Sequence, residues 1–155
     1  MKKVLTIVSA LALVGGLLGC AADSEVLDES AALEGECTPS GDQIEAISFS
    51  GAFGASPEVL FEAPLEVDTT QRSVIVEGDG DVVVDGDNLL IDYALFNAST
   101  GVLVEESAYD ELSPTPWIVD TKVVSLVGIS LTAACSTVGS RVAGLIPPLD
   151  AFGLE

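Results

Sequence analysis

Val138-Gly139-Ser140-Arg141-Val142-Ala143-Gly144-Leu145-Ile146-Pro147-Pro148-Leu149-Asp150-Ala151-Phe152-Gly153 is the stretch from which the fold is read. Residues 138–146 have the composition of a strand, and two prolines end it. Proline has no N–H and a fixed φ, so Pro147-Pro148 cannot continue a ladder. An acid, an aromatic ring and a glycine then follow at close spacing. Glycine tolerates backbone angles that other residues avoid, so Phe152 is predicted on a loop closed by Gly153. A large apolar ring held on such a loop is expected to pack over a cavity.

Working outward, residues 122–135 are mostly apolar. The positions 123, 126/127 and 130/131 nearly fit a helical stripe, which Ser130 interrupts and Gly128 weakens. One short helix, buried on one face against a sheet, is expected there. Ahead of it lie a rigid loop, Ser113-Pro114-Thr115-Pro116, and a brief strand, Trp117-Ile118-Val119. Further back, Arg72-Ser73-Val74-Ile75-Val76-Glu77 and Val82-Val83-Val84 are β-branched runs separated by Gly78-Asp79-Gly80-Asp81. After the turn Asp85-Gly86-Asp87, the run Asn88-Leu89-Leu90-Ile91-Asp92-Tyr93-Ala94-Leu95-Phe96 reads as the strongest strand, and Val102-Leu103-Val104-Glu105 returns beside it. The pattern is an antiparallel meander. Residues 46–71 read as an N-terminal extension with two short strand candidates, Val59-Leu60-Phe61 and Leu65-Glu66-Val67, broken by Gly51, Gly54, Pro57 and Pro64.

The chain carries 5 basic and 25 acidic residues, a formal charge of −20. Such a surface repels phosphate backbones and anionic lipid heads, which excludes nucleic acid as a partner. Residues 1–19 read as an export signal: Met1-Lys2-Lys3, then an apolar run, then Leu17-Leu18-Gly19-Cys20. The run is short for a membrane span, which needs about 20 apolar residues. Its end resembles the bacterial lipobox, in which the cysteine, here Cys20, is acylated and becomes the new N-terminus. Residues 20–45, rich in Asp and Glu without a base, read as an acidic tether. The expected location is therefore extracytoplasmic, lipid-anchored to the bacterial cell membrane.

An oxidising compartment allows Cys37 and Cys135 either to bridge or to remain two separate thiols. There is no histidine. Ser-His and Cys-His nucleophilic catalysis is excluded, and two cysteines are too few soft ligands for a zinc site. Asp79, Asp81, Asp85 and Asp87 invite a calcium reading, but their order does not match a calcium loop, and solvated turns are the better expectation.

The ordered set Val76-Glu77-Gly78-Asp79-Gly80, Ile91-Asp92-Tyr93, Gly101-Val102-Leu103-Val104-Glu105, Leu126-Val127-Gly128, Val138-Gly139-Ser140-Arg141 and Ile146-Pro147-Pro148-Leu149-Asp150-Ala151-Phe152-Gly153 resembles the FKBP-type peptidyl-prolyl isomerase domain. The resemblance covers residues 72–155. It implies an α+β fold, an antiparallel half-barrel sheet wrapped on one short helix, whose final strand has no counterpart before Glu155. The domain would then be C-terminally incomplete, possibly the first of a tandem pair. It further implies a cofactor-free isomerase acting on proline-containing peptides of exported proteins, or, alternatively, a catalytically weak peptide-binding or structural module of that fold. By matching position, Tyr93, Glu105, Leu126 and Phe152 would act on the bond, with the Leu126 N–H offered to the substrate carbonyl. Val104, Trp117, Val119 and Ile129 would line the substrate pocket. Val104 and Glu105 stand where the family usually has Phe and Asp, Ile129 where many members have Trp, and Phe152 where Tyr is usual.

Overall fold

The computed structural model describes residues 37–110 and 112–153. The expected export signal, the lipidation candidate Cys20 and residues 20–36 of the expected tether lie outside the described residues. The elements, in chain order, are α1 (Asp42–Glu45), β1 (Ser48–Ser50), β2 (Glu58–Leu60), β3 (Gln71–Val76), β4 (Asn88–Ile91), β5 (Ala94–Phe96), β6 (Leu103–Glu106), β7 (Thr115–Ile118), α2 (Val127–Ala133), β8 (Arg141–Leu145) and α3 (Pro148–Phe152). The class is α+β. All strand pairs are antiparallel and two-stranded: β1–β2, β3–β8, β4–β7 and β5–β6. Among the described residues they do not close into a barrel.

The β3–β8 pair is the spine. Gln71 lies opposite Leu145 and Arg72 opposite Gly144, so successive pairs show alternate faces. On the Arg72–Gly144 face sits α2. A Cβ at Gly144 would lie 2.0 Å from Thr132 Oγ1, and one at Gly128 would lie 2.2 Å from Ile146 Cγ2. The absence of side chains at both positions is what lets the helix seat on the strand. Gly128, which weakens the helical pattern in the sequence, is thus a point of close approach.

On the opposite face, residues 37–45 pack onto the spine rather than extending as tether. Ile44 is buried and its N–H donates to Gln71 Oε1 at 3.1 Å, while along the edge of β3 the Arg72 N–H donates to Pro39 O at 3.0 Å. Cys37 and Cys135 form a disulfide with Cα atoms 5.7 Å apart. Arg141, also on this face, donates to the carbonyls of Gly51, Ala52 and Ala55 at 3.0, 2.6 and 2.9 Å, holding the β1–β2 loop.

Several sequence expectations need correction. The run 88–96 is two strands, because Asp92 and Tyr93 leave the ladder. Tyr93 N–H instead donates to Ser107 Oγ, and Ser107 N–H to Tyr93 O, which turns the chain from its β7 partner to β6. Residues 82–84 make one bridge, Val82 to Thr137, instead of a strand. Residues 65–67 are not a strand, and Leu65 N–H makes a single bond to Ala98 O. Phe152 stands on the helical turn α3, not on a loop. Pro148 occupies its first turn, where the missing N–H costs nothing, and Gly153 caps it at φ +67.

The apolar core is small. Val83, Val119 and Ala134 form its buried cluster, with Leu89 and Trp117 packed against it. Leu89 and Trp117 are direct cross-strand partners, which is why β4–β7 presents both to the same side. No helix among the described residues is long and apolar enough to cross a membrane.

Candidate functional site

Two groups of the expected site residues emerge, one on the β5–β6 ribbon and one around α2. On the ribbon, Leu95 lies opposite Glu105 and Phe96 opposite Leu103, so Val104 is an extra residue in β6. A bulge of this kind bends its strand and re-aims side chains. Tyr93 precedes Leu95 by two residues and so points to the same side as Glu105. Its hydroxyl donates to Glu105 Oε1 at 2.7 Å. That bond to a carboxylate, first, then desolvation, raises the Tyr93 pKa above its ordinary value. Ser107, which the sequence reading did not single out, fastens this corner: besides its bonds to Tyr93, its hydroxyl donates to Asp92 Oδ1 at 2.7 Å. Val104 is 67% exposed.

Around α2 the organiser is Ser130. It is fully buried, accepts from Trp117 Nε1 at 3.2 Å and from the Asp120 N–H at 3.0 Å. Its trace in the sequence is the one hydroxyl that breaks the apolar stripe of the helix. Trp117 is thereby fixed as a half-buried wall with its polar edge satisfied. Ile129, the next residue on α2 before Ser130, is half-buried. Val119, expected to line the pocket, has no exposed surface and belongs to the core cluster. The cause is the β7 terminus: Val119 donates to Asp87 O and accepts from the Gly86 N–H, which draws it inward.

Leu126 caps α2 at φ 61, a left-handed conformation that costs a non-glycine residue roughly 1–2 kcal/mol. Such strain is concentrated at functional positions. Its N–H, expected to face a ligand, donates to Ala151 O at 3.1 Å. Phe152, expected to close over the pocket, is 65% exposed. Of the eight expected residues, the structure buries Val119, bonds the Leu126 N–H within the chain and leaves Val104 and Phe152 exposed.

The acidic turns are used locally. Asp87 Oδ2 accepts from the Val84 N–H at 2.9 Å. Asp85 accepts from the Thr121 N–H at 2.7 Å, from the Thr121 hydroxyl at 2.9 Å and from Lys122 Nζ at 2.9 Å. These contacts, the Thr121 N–H foremost, hold its pKa down at about 2. Among the described residues no three metal-ligating side chains gather into a site. A cavity of about 370 Å³ opens beside this turn, lined by Val83, Asp85, Thr121, Leu131 and Cys135 among others, with neither Tyr93 nor Phe152 in its lining.

Compared with family models, curated proteins and solved structures, the chain matches none of them.

Proposed function

We propose that the chain is an FKBP-like peptidyl-prolyl cis–trans isomerase, a half-barrel sheet wrapped on α2, anchored by lipid at Cys20 outside the bacterial membrane. Its substrates are proline-containing segments of exported proteins. The observation that carries the reading is the Tyr93–Glu105 hydrogen bond across a bulged antiparallel pair. It presents a phenol with a fixed orientation beside an apolar strand, an arrangement that suits a site with few polar groups. The order of elements supports it as well: β4–β7, β5–β6, then α2, then β8 returning to β3.

The chemistry asked of such a site is modest. Amide resonance sets a barrier of about 18–20 kcal/mol to rotation, and uncatalysed X-Pro isomerisation takes tens to hundreds of seconds. Water favours the planar, charge-separated resonance form, so an apolar wall that excludes water favours the twisted one. Trp117, Val104 and Ile129 supply the apolar surface in this reading, and the Tyr93 hydroxyl, whose one proton Glu105 holds in the resting protein, must turn from Glu105 to donate to the substrate carbonyl. No nucleophile, metal or general base is needed, which suits a chain without histidine.

A second reading, a peptide-binding module with weak catalysis, is favoured by one observation: the Leu126 N–H is already bonded to Ala151. A protease-coupled assay on a Leu-Pro tetrapeptide separates the two. The isomerase reading expects a rate that rises with protein concentration; a rate equal to buffer alone would sink it.

A further inference from the structure

Val123, Val124 and Leu126 stand exposed on the loop before α2, and Leu149 and Phe152 stand exposed on α3. The two segments touch. The Leu126 N–H donates to Ala151 O at 3.1 Å, and a Cβ at Gly153 would lie 3.1 Å from Val124 Cγ1. Leu149 and Phe152 are three residues apart on one helical turn, so they share a face. The five side chains form one apolar tip beside the start of α2. Charge sets this tip apart from the exposed valines and leucines of the strands. On β6, Leu103 and Val104 run directly into Glu105 and Glu106. The chain carries 25 acids, yet none lies between Asp120 and Asp150, whereas two of its bases, Lys122 and Arg141, do. The acids that flank the tip are turned onto the protein. Asp150 accepts from the Thr70 hydroxyl at 2.6 Å, and Asp120 and Asp85 accept from the Lys122 N–H and Nζ, each at 2.9 Å.

The tip also has a fixed relation to the point where residues 21–36 join the domain. Helix α2 has seven residues and is about 10 Å long. Past its far end Cys135 holds Cys37, the first described residue, with Cα atoms 5.7 Å apart. The tether therefore arrives on the order of 20 Å from the tip. Residues 21–36, extended, span up to roughly 50 Å, so acyl chains on Cys20 would keep the tip within reach of a bilayer. We propose that the tip is a membrane-contacting surface: Val124, Leu149 and Phe152 dip into the interfacial layer of a zwitterionic lipid surface. This inference rests on the reading of Cys20 as the lipidated residue. Apolar burial supplies the contact, since a chain of formal charge −20 is repelled by anionic lipid heads. The anchor then tethers the domain and the tip orients it.

The test places a tryptophan at the tip. The full chain is reconstituted in phosphatidylcholine vesicles whose acyl chains carry bromine, a quencher of indole fluorescence. Phe152→Trp is compared with Leu60→Trp, at a similarly exposed position on β2 outside the tip, and the natural chain supplies the Trp117 background. Phe152→Trp should be quenched and should emit further to the blue than in buffer, and Leu60→Trp should do neither. Adding Val124→Ser and Leu149→Ser should lower the ratio of inserted to free tip about tenfold for each residue. The quenching of Phe152→Trp should then fall to the level of Leu60→Trp, while circular dichroism reports that each variant is folded. The mass of the mature chain separates the tip from the anchor. Acylated Cys20 with equal quenching at residues 152 and 60 overturns the tip and leaves the anchor intact. Quenching at residue 152 alone with Cys20 unmodified supports the tip and overturns the anchor. A Phe152→Trp emission already shifted to the blue without lipid overturns the proposal in favour of a second copy of the chain on this face.

Discussion

The α2–β8 side and the β5–β6 ribbon are built from similar short elements but held in different ways. Around α2, one buried hydroxyl satisfies two donors, two glycines let backbone and helix touch, and a disulfide ties residue 37 to residue 135. On the ribbon, all four residues of β6 are exposed, and order comes from side-chain bonds at the surface, Tyr93 to Glu105 and Ser107 to Asp92. The difference implies a division of labour. The first region carries stability, so changes there should unfold the protein. In the proposed reading the second carries the Tyr93 hydroxyl, so changes there should alter activity while leaving the fold in place.

The largest expected effect breaks the first region. Replacing Cys37 and Cys135 together by serine opens a crosslink spanning 98 residues. The loop-entropy relation gives about 4–5 kcal/mol for such a span. A small core cannot absorb that, so the variant should unfold at much lower denaturant, in a reversible urea titration, than the natural chain. A change below about 1 kcal/mol would show that residues 37–45 hold to β3 and β8 without the bridge.

Next comes Ser130→Ala. The change strands the Trp117 Nε1–H and the Asp120 N–H, and an unsatisfied buried donor costs roughly 1–3 kcal/mol. A loss of about 2–3 kcal/mol is expected, together with a changed tryptophan fluorescence, since Trp117 is the only tryptophan. Equal stability of the variant would remove Ser130 as the organiser of this region.

Tyr93→Phe tests the ribbon and should invert the pattern. The denaturation midpoint should barely move, because the lost bond is at the surface. In the proposed reading the isomerase rate should fall about a hundredfold, the low end of what one positioned donor contributes. The Tyr93 pKa is raised by Glu105, so the sign at alkaline pH is fixed. The bond is intact below the ordinary tyrosine value near 10 and is lost as pH rises through the higher folded value. A variant as active as the natural chain would move the chemistry away from this corner.

How far the sequence could be read follows the same division. Strand composition and turn residues locate β3 and β6 within a residue and β8 within three, because β-branched runs bounded by glycine and proline are local signals. The split at Asp92–Tyr93 is not local. It depends on Ser107 reaching the Tyr93 backbone, a partner fourteen residues away. Likewise, Gly128 reads as a helix breaker until Ile146 is brought against it. Tyr93 and Glu105 were legible one by one as residue types, without the hydrogen bond that joins them. The occupancy of the Leu126 N–H was not, since it depends on how residues 148–153 fold back. The proline pair announces a stop, but proline at the first turn of a helix announces a start equally well.

The smallest expected effect lies at the Asp85 turn, where the two modes of construction meet. Asp85 is exposed like the ribbon residues, yet it ties the segment after Val119 to the turn after Val84. Its carboxyl is held at about 2, below its ordinary 3.8, by the Thr121 N–H first, then Lys122 and the Thr121 hydroxyl. A lowered folded value means that the contact stabilises fully above the ordinary carboxylate range and is lost as pH falls toward 2. An NMR titration of the Asp85 carboxyl should therefore show a midpoint near 2, and Asp85→Asn should remove part of the acid sensitivity of the fold between about pH 4 and pH 2. Because the group is solvent-exposed, salt should weaken the Lys122 contribution and leave the Thr121 N–H contribution largely intact. A midpoint near 4 would show that the turn is held by its backbone alone, and would place it with the α2 side rather than between the two regions.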